Sequence, residues 1–157
     1  MIKGGVKVVY VPKPASKTLF DMAKERGITT LEVGLFDADT DTTLIAQVHE
    51  YGSRTVPKRS FLRDTMRLNR QKYDRILKLR LEQMVKRGWV GSLSSTLLSF
   101  GDIIVADVRK RIQRGIPPAL KSATVAAKRR KGYAKPHVAL YATGALYNTI
   151  KAKLGRK

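Results

Sequence analysis

Two successive segments in the middle of the chain have apolar residues at helical spacing, and this pattern constrains the fold more than any other feature. Between Phe61 and Arg87, one stripe at about 100° per residue contains six apolar side chains: Leu62, Met66, Tyr73, Ile76, Leu77 and Met84. After the sequence GWVGS (88–92), five more form a second stripe: Leu93, Leu97, Phe100, Ile104 and Val108. The pattern predicts a long helix over 61–87, starting after Pro57 and Ser60, and a second helix that ends at Gly115.

Shorter segments on either side of these helices alternate apolar and polar residues, which is typical of β-strands. They are residues 6–10, residues 29–36 and the C-terminal run of Ile150, Ala152 and Leu154. Residues 16–26 predict a short helix ended by Gly27. The local pattern does not decide between helix and strand for TLIAQVHEYG (43–52). With 157 residues, the chain is expected to form one domain with its own core.

The charge of the chain is large and unevenly distributed. The sequence contains 32 basic and 12 acidic residues, for a formal net charge of +20. Residues 27–53 contain five acids and no Lys or Arg, whereas residues 108–157 contain 14 basic residues and no acid. Such a balance indicates polyanions or acidic partner surfaces, with a basic surface that serves only solubility as the alternative. The absence of Cys fits assembly in a reducing compartment, and no segment predicts a membrane span or a secretory signal.

Candidate catalytic and metal-binding patterns are incomplete. Asp37, Asp39 and Asp41 have the spacing of a calcium loop, but the Gly and Glu that such a loop needs later are absent, so a solvated turn is favoured. His49 and His137 are the two histidines of the chain, and each is interpreted as an ordinary polar contact. The sequence therefore predicts no catalytic residues, no metal site and no cofactor.

Two parts of the chain resemble a known family. The sequences VGLFD (33–37) and IAQVHEYGSRTVPKRSFLRDTM (45–66) are similar to the tail-completion, or head–tail joining, proteins of tailed bacteriophages, of the virion-morphogenesis and tail-terminator type. The matching positions are Glu50, Gly52, Pro57, Arg59, Phe61, Leu62 and Arg63.

The second half continues the resemblance in the same order, so that the similarity covers roughly residues 31–150. It includes Leu97 with Gly101, PPALKSATVAAKRRKG (117–132) and KPHVALYATGAL (135–146), followed by Asn148, Thr149 and Ile150. Ser60 replaces a Pro of the family pattern, Ala142 replaces an Asp, and the loop after Lys135 is longer.

The resemblance implies an α+β fold, with a small, mostly antiparallel sheet packed with one long and one or two shorter helices. It also implies a non-enzymatic virion protein, assembled in the host cytoplasm, that forms a ring, usually a hexamer, at the neck or the head-proximal end of the tail. The expected partners are further copies of the chain, neighbouring neck and tail proteins, and genomic DNA that passes through the lumen. A stand-alone basic protein that binds nucleic acid without sequence specificity is the alternative.

Charge, the resemblance and the position of Leu68 and Leu79 outside the main apolar stripe of the predicted helix suggest which residues would contact neighbours. An acidic first half and a basic second half suit head-to-tail contacts between copies. Candidates for the subunit interface are Glu50, Gly52, Arg54, Pro57, Lys58, Arg59, Phe61, Arg63, Leu68 and Leu79. Residues 121–137 are expected to form a basic loop or arm, with candidates Lys121, Lys128, Arg129, Arg130, Lys131 and Lys135.

Each of these interpretations has a simpler alternative. Gly52 and Pro57 could merely end one element and start the next, and Phe61 could be a core residue of the helix. Residues 121–137 could be a disordered basic loop. If Arg59 and Arg63 lie at the subunit contact, reversing both charges should leave the domain folded and impair assembly.

Overall fold

The computed structural model describes residues 6–10, 28–87 and 93–156. Within these ranges three strands form one antiparallel sheet in the order β1 (Lys7–Tyr10), β2 (Ile28–Leu35) and β3 (Ile150–Arg156). All three strands occur where alternation predicts them. The helix predicted over 16–26 and the break at GWVGS lie outside the described residues.

The described ranges contain six helices. They are α1 (Thr40–Tyr51), α2 (Arg63–Leu68), α3 (Arg70–Lys86), α4 (Leu93–Arg114), α5 (Ser122–Arg130) and α6 (Ala145–Thr149). A small antiparallel sheet with one long helix, α4, and several shorter ones is an α+β fold, which confirms the predicted fold class.

The sheet presents its apolar face to α4. Leu31, Val33 and Leu35 of β2 are almost completely buried, and the α4 side chains at the predicted core positions are buried as well. Gly101 allows the close approach of helix and sheet, because a Cβ there would lie 2.6 Å from the Cβ of Ala152 and 3.1 Å from a methyl group of Leu31. This contact gives a physical reason for a Gly in the middle of a long helix, where it is otherwise unfavourable.

The predicted helix over 61–87 begins later and is divided. Asn69 separates α2 from α3, with φ −106° and ψ 11°. Its side-chain amide donates to the carbonyl of Thr65 at 2.9 Å, a local hydrogen bond that competes with the helical pattern. Farther along, the buried Tyr73 of α3 donates its hydroxyl to Asp107 of α4 at 3.0 Å, which joins the two helices.

The undecided segment after the acidic turn is helical. Asp39 is the N-cap of α1, and its carboxylate accepts hydrogen bonds from the backbone N–H and the hydroxyl of Thr42, both at 2.7 Å. These bonds lower the pKa of Asp39. The acidic run therefore starts a helix, since a capping carboxylate satisfies an N–H that would otherwise lack a partner.

The expectation of a loop or arm over 121–137 is wrong for its first part, where nine residues form α5. The Ala, Lys and Arg residues of α5 favour a helix, whereas the turn-like composition begins only at Gly132.

No described helix combines the length and the apolar character that a membrane crossing requires.

Candidate assembly site around Glu50

The loop between α1 and α2 is a compact turn. Gly52 ends α1 with φ +83°, and its N–H donates to the carbonyl of Val48 at 2.8 Å. A Cβ at this position would lie 3.2 Å from the side chain of Lys58, so the loop passes close to the end of the helix. The N–H of Arg59 donates to the carbonyl of His49 at 2.7 Å. A left-handed Gly and a returning chain thus close the loop.

Glu50 lies at the centre of this turn and is completely buried. Its carboxylate accepts from the Ser60 hydroxyl at 2.7 Å and from the backbone N–H groups of Phe61, Leu62 and Arg63 at 2.9, 3.0 and 3.0 Å. It also accepts from Nε of Arg63 at 3.1 Å. We call these five residues the Glu50 cluster.

The Glu50 cluster supplies the hydrogen-bond acceptor for the N–H groups at the start of α2. The N-cap residue, Leu62, has no side chain able to accept a hydrogen bond, and its own N–H and that of Arg63 point toward Glu50. A carboxylate from another helix therefore takes the place of a local cap, and the positive end of the helix dipole favours its charge.

Arg63 supplies the opposite charge and covers the cluster. Its side chain is 46% exposed. A terminal guanidinium nitrogen donates to the backbone carbonyl of Glu50 at 3.0 Å, and the guanidinium carbon lies 4.3 Å from the centre of the Tyr51 ring. Arg63 consequently joins the end of α1 to the start of α2.

Ser60 stands where the family pattern has a Pro. Its hydroxyl donates to Glu50 and accepts from the N–H of Asp64 at 3.2 Å. A Pro could make neither contact, so this departure from the pattern adds a hydrogen bond to the cluster.

Arg59 connects the cluster to a distant part of the chain. It is only 4% exposed, and burial lowers the pKa of its guanidinium. Nε donates to the carbonyl of Pro118 at 2.8 Å, and a terminal nitrogen donates to that of Ala119 at 3.3 Å. Arg59 thus holds the segment that leads into α5.

Arg111 makes a second connection, from α4. Its Nε donates to the carbonyl of Ser60 at 3.3 Å, and a terminal nitrogen lies 3.6 Å from a carboxylate oxygen of Asp64. Nothing in the sequence indicates the contact between Arg111 and Ser60, because a contact between residues 51 positions apart leaves no periodic signal.

His49 differs from the sequence interpretation. Its Nδ1 is buried and has no hydrogen-bond partner within the described residues, so it is not an ordinary satisfied polar contact. Burial, together with the positive charge of Arg59, lowers the pKa of His49. His137, by contrast, pairs with Arg129, whose terminal nitrogen lies 2.9 Å from Nε2 of the ring.

A second polar centre orders the segment after α5. Nζ of Lys128 donates to the carbonyls of Val138 at 2.6 Å and Tyr141 at 2.8 Å, with that of Lys135 at 3.5 Å. Burial lowers the pKa of this ammonium group. We call this arrangement the Lys128 clamp, and it accounts for the ordered course of a basic, turn-rich segment.

The acidic segment is largely neutralised within the chain. Glu32 pairs with Lys7 at 3.0 Å, and Asp37 pairs with Lys153 at 3.0 Å. Asp39 caps α1, and Glu50 is buried in its cluster. Four of the five carboxylates of this segment thus have partners inside the chain, which reduces the negative charge that the segment offers to a neighbouring copy.

The ten interface candidates divide by exposure. The side chains of Glu50, Arg59 and Phe61 are buried within the chain. The prediction that they contact a neighbouring copy directly is therefore wrong. Gly52 is half-buried and Arg63 partly exposed. The remaining five are exposed: Arg54, Pro57, Lys58, Leu68 and Leu79.

The six candidates of the basic arm divide in the same way. Lys128 is an internal anchor, and Lys135 is partly buried, with its Nζ 5.0 Å from the centre of the Tyr141 ring. The other four are exposed: Lys121, Arg129, Arg130 and Lys131.

Comparison of the chain with protein-family models, with curated proteins and with solved structures found no match.

Proposed function

We propose that this chain is a non-enzymatic structural protein of a tailed-bacteriophage virion, which forms a ring at the head–tail neck or at the head-proximal end of the tail. The family resemblance is the origin of this proposal. Copies of the same chain and the adjacent neck and tail proteins are its proposed partners.

One observation carries the proposal: the separate sequence blocks that resemble the family are in direct contact. The first block supplies Glu50 and the residues of its cluster. Arg59, from the same block, binds the carbonyls of Pro118 and Ala119, which begin the second block. Residues about 60 positions apart in sequence thus form one unit. Such a unit is what a shared structural role of these blocks requires.

The buried candidates have a supporting role at the proposed interface. Glu50 and Arg59 fix both ends of the loop, and the side chains of Arg54, Pro57 and Lys58 project from it as exposed groups. Leu68 and Leu79, in α2 and α3, are 59% and 51% exposed. Exposed apolar side chains of this size favour contact with another protein surface, here a second copy of the chain.

The Glu50 cluster also favours a structural role over a catalytic one. A general base needs a free lone pair directed at a substrate, but both carboxylate oxygens of Glu50 already accept at least two hydrogen bonds. Its burial leaves no path for a reactant.

The mass of the nuclease-treated protein in solution tests the proposal. Sedimentation equilibrium at 0.1 M and 1 M salt should give one closed oligomer at both, close to six times the 17.6 kDa of the chain. A monomer at both salt concentrations would contradict ring formation. A monomer whose mass changes only when DNA is added would support the stand-alone nucleic-acid-binding protein instead.

A matched pair of variants tests the interface. Leu68→Glu with Leu79→Glu should reduce the oligomer to monomers, because charges would be buried at an apolar contact. Val85→Glu with Leu98→Glu is the control, since these side chains are also exposed, at 44% and 38%, but are not proposed interface residues. If the two variants assembled to the same extent, the proposal that Leu68 and Leu79 lie in the interface would be wrong.

A further inference from the structure

The internal pairing of charges leaves exposed cations without an ion pair, and a set of them belongs to the edge formed by α5 and the loop before α2. Most of the described acids have a partner within the chain; examples are Asp64 with Arg111, Glu82 with Lys78, and Asp107 with Lys72. Residues 108–157 contain no acid at all. Cations near α5 therefore have few carboxylates available to them.

This edge is built around the contact between Arg59 and the carbonyls of Pro118 and Ala119. Chain connectivity brings four basic residues to its vicinity: Arg54 and Lys58 precede Arg59, and Arg114 and Lys121 flank the two carbonyls. Arg130 and Lys131 lie at the far end of α5. All six side chains are exposed and have no ion pair within the described residues. We call these six residues the cationic edge.

We propose that the cationic edge binds the phosphate backbone of nucleic acid without reading its sequence. The nine residues of α5 span about 13 Å between the basic residues at its two ends, a distance that covers several phosphates of a duplex. Small side chains, Ala123 and Ala126, are exposed between those ends and allow a backbone to approach. The inference does not depend on ring formation.

Phosphates fit this surface better than an acidic protein does. A stable protein interface has an apolar centre surrounded by polar groups, and the six basic residues have no exposed large apolar side chain of α5 among them. The acidic segment of a second copy is a poorer partner, because four of its five carboxylates already have partners within their own chain. Interfaces with nucleic acid are polar and positively charged, as this edge is.

The test compares two variants of equal charge. Arg54→Gln, Lys121→Gln, Arg130→Gln and Lys131→Gln remove four charges from the cationic edge. Arg75→Gln, Lys86→Gln, Arg87→Gln and Lys151→Gln remove four exposed charges elsewhere, of the same residue types. Both variants lower the formal net charge from +20 to +16. Binding to a mixed-sequence duplex of about 30 base pairs is measured by fluorescence anisotropy at several salt concentrations.

The edge variant should bind about a hundredfold more weakly at 0.1 M salt, and the slope of log K against log salt should decrease by about 3 to 4. The control variant should lose less than about fivefold. Equal losses in the two variants would overturn the proposal, as they would indicate a diffuse attraction by the whole surface. Equal or tighter binding of the wild-type protein to a polyglutamate peptide would overturn the choice of phosphate. Sedimentation of the edge variant at 1 M salt measures its oligomeric state, and so distinguishes a loss of DNA binding from a loss of assembly.

Discussion

The Glu50 cluster and the Lys128 clamp use opposite charges to organise loops, and they differ in how that charge is compensated. Glu50 is completely buried, accepts three backbone N–H groups and has Arg63 as a counter-charge. Lys128 is only partly buried and donates to backbone carbonyls, and residues 108–157 around it contain no carboxylate. A buried carboxylate at a helix start is therefore stabilised by peptide dipoles and a cation, whereas the clamp relies on carbonyl dipoles alone.

The Glu50 cluster thus belongs to the core, whereas the Lys128 clamp holds a peripheral segment. Removing one partner of a buried, compensated charge leaves several polar groups without partners. Removing a partly exposed ammonium group leaves carbonyls that water can reach. We expect the Glu50 cluster to be required for the fold and the Lys128 clamp to control only local order.

The largest expected effect comes from Glu50. Glu50→Ala should lower the free energy of unfolding by about 3 to 5 kcal/mol, because it leaves the N–H groups at the start of α2 and the charge of Arg63 unpaired. Glu50→Gln should cost less, since one oxygen can still accept. Urea unfolding followed by circular dichroism measures both. A loss below 1 kcal/mol for Glu50→Ala would make the cluster peripheral and remove the contrast with Lys128.

Arg59 should rank second. Arg59→Ala should lower the free energy of unfolding by about 2 to 3 kcal/mol, because two hydrogen bonds from a buried cation are lost. The control is Lys58→Ala, at the exposed neighbouring residue, which should change the free energy of unfolding by no more than about 0.5 kcal/mol. This result would also replace the sequence prediction that charge reversal at 59 and 63 leaves the domain folded. A Glu at position 59 would be buried beside two carbonyls. A fully stable Arg59→Glu variant would contradict the internal role.

Lys128 should have a smaller and local effect. Lys128→Met should lower stability by about 1 kcal/mol and should increase proteolytic cleavage within 133–142, because three carbonyls lose their donor. Arg130→Met is the matched control, since Arg130 is exposed on the same helix. A loss as large as that of Glu50→Ala would erase the distinction between core and peripheral sites.

The smallest effect concerns pH and His49. Burial and the Arg59 cation place the pKa of folded His49 below its ordinary value of 6.5, so the unfolded chain binds more protons between these two values. The contribution of neutral, buried His49 to stability is thus fully present above pH 6.5 and is lost as the pH falls through the folded pKa of His49. Asp39, with a pKa below 3.8, titrates at lower pH.

The urea midpoint should decrease from pH 7.5 to pH 5.5, and His49→Gln should reduce this decrease. An unchanged decrease in the variant would assign the pH dependence to other groups. The effect concerns both sites, because His49 adjoins the Glu50 cluster through the N–H of Arg59 and also lines a cavity together with Lys128 and Tyr141.

Local patterns in the sequence predict much of the fold. Alternation located the three described strands, and helical periodicity located α4 with its core face. The break at Asn69 was not predicted, because a side chain bonded to Thr65 interrupts a pattern that remains periodic in its apolar residues. The helix α5 was missed because its basic composition resembles that of a loop.

The candidate site was predicted in its residues but not in their roles. The resemblance singled out Glu50, Arg59 and Phe61, yet their charges and size suggested contact with neighbours, whereas all three are buried. Long-range pairing, as between Arg59 and Pro118, depends on tertiary structure and has no sequence period. For the same reason the sequence of residues 27–53 does not show how much of their charge is paired, since the partners Lys7 and Lys153 lie elsewhere in the chain.

Hydrogen exchange of single backbone amides, followed by NMR, tests the central claim that Glu50 is the polar centre of the fold. The N–H groups of Phe61 and Leu62, which bind the same carboxylate oxygen of Glu50, should exchange only on global unfolding and should lose this protection in Glu50→Ala, which removes that oxygen. The N–H of Val138, beside the Lys128 clamp, should exchange faster through local opening, at a rate that Glu50→Ala does not selectively change. Exchange of Phe61 and Leu62 as fast as that of Val138 in the wild-type protein would contradict the account.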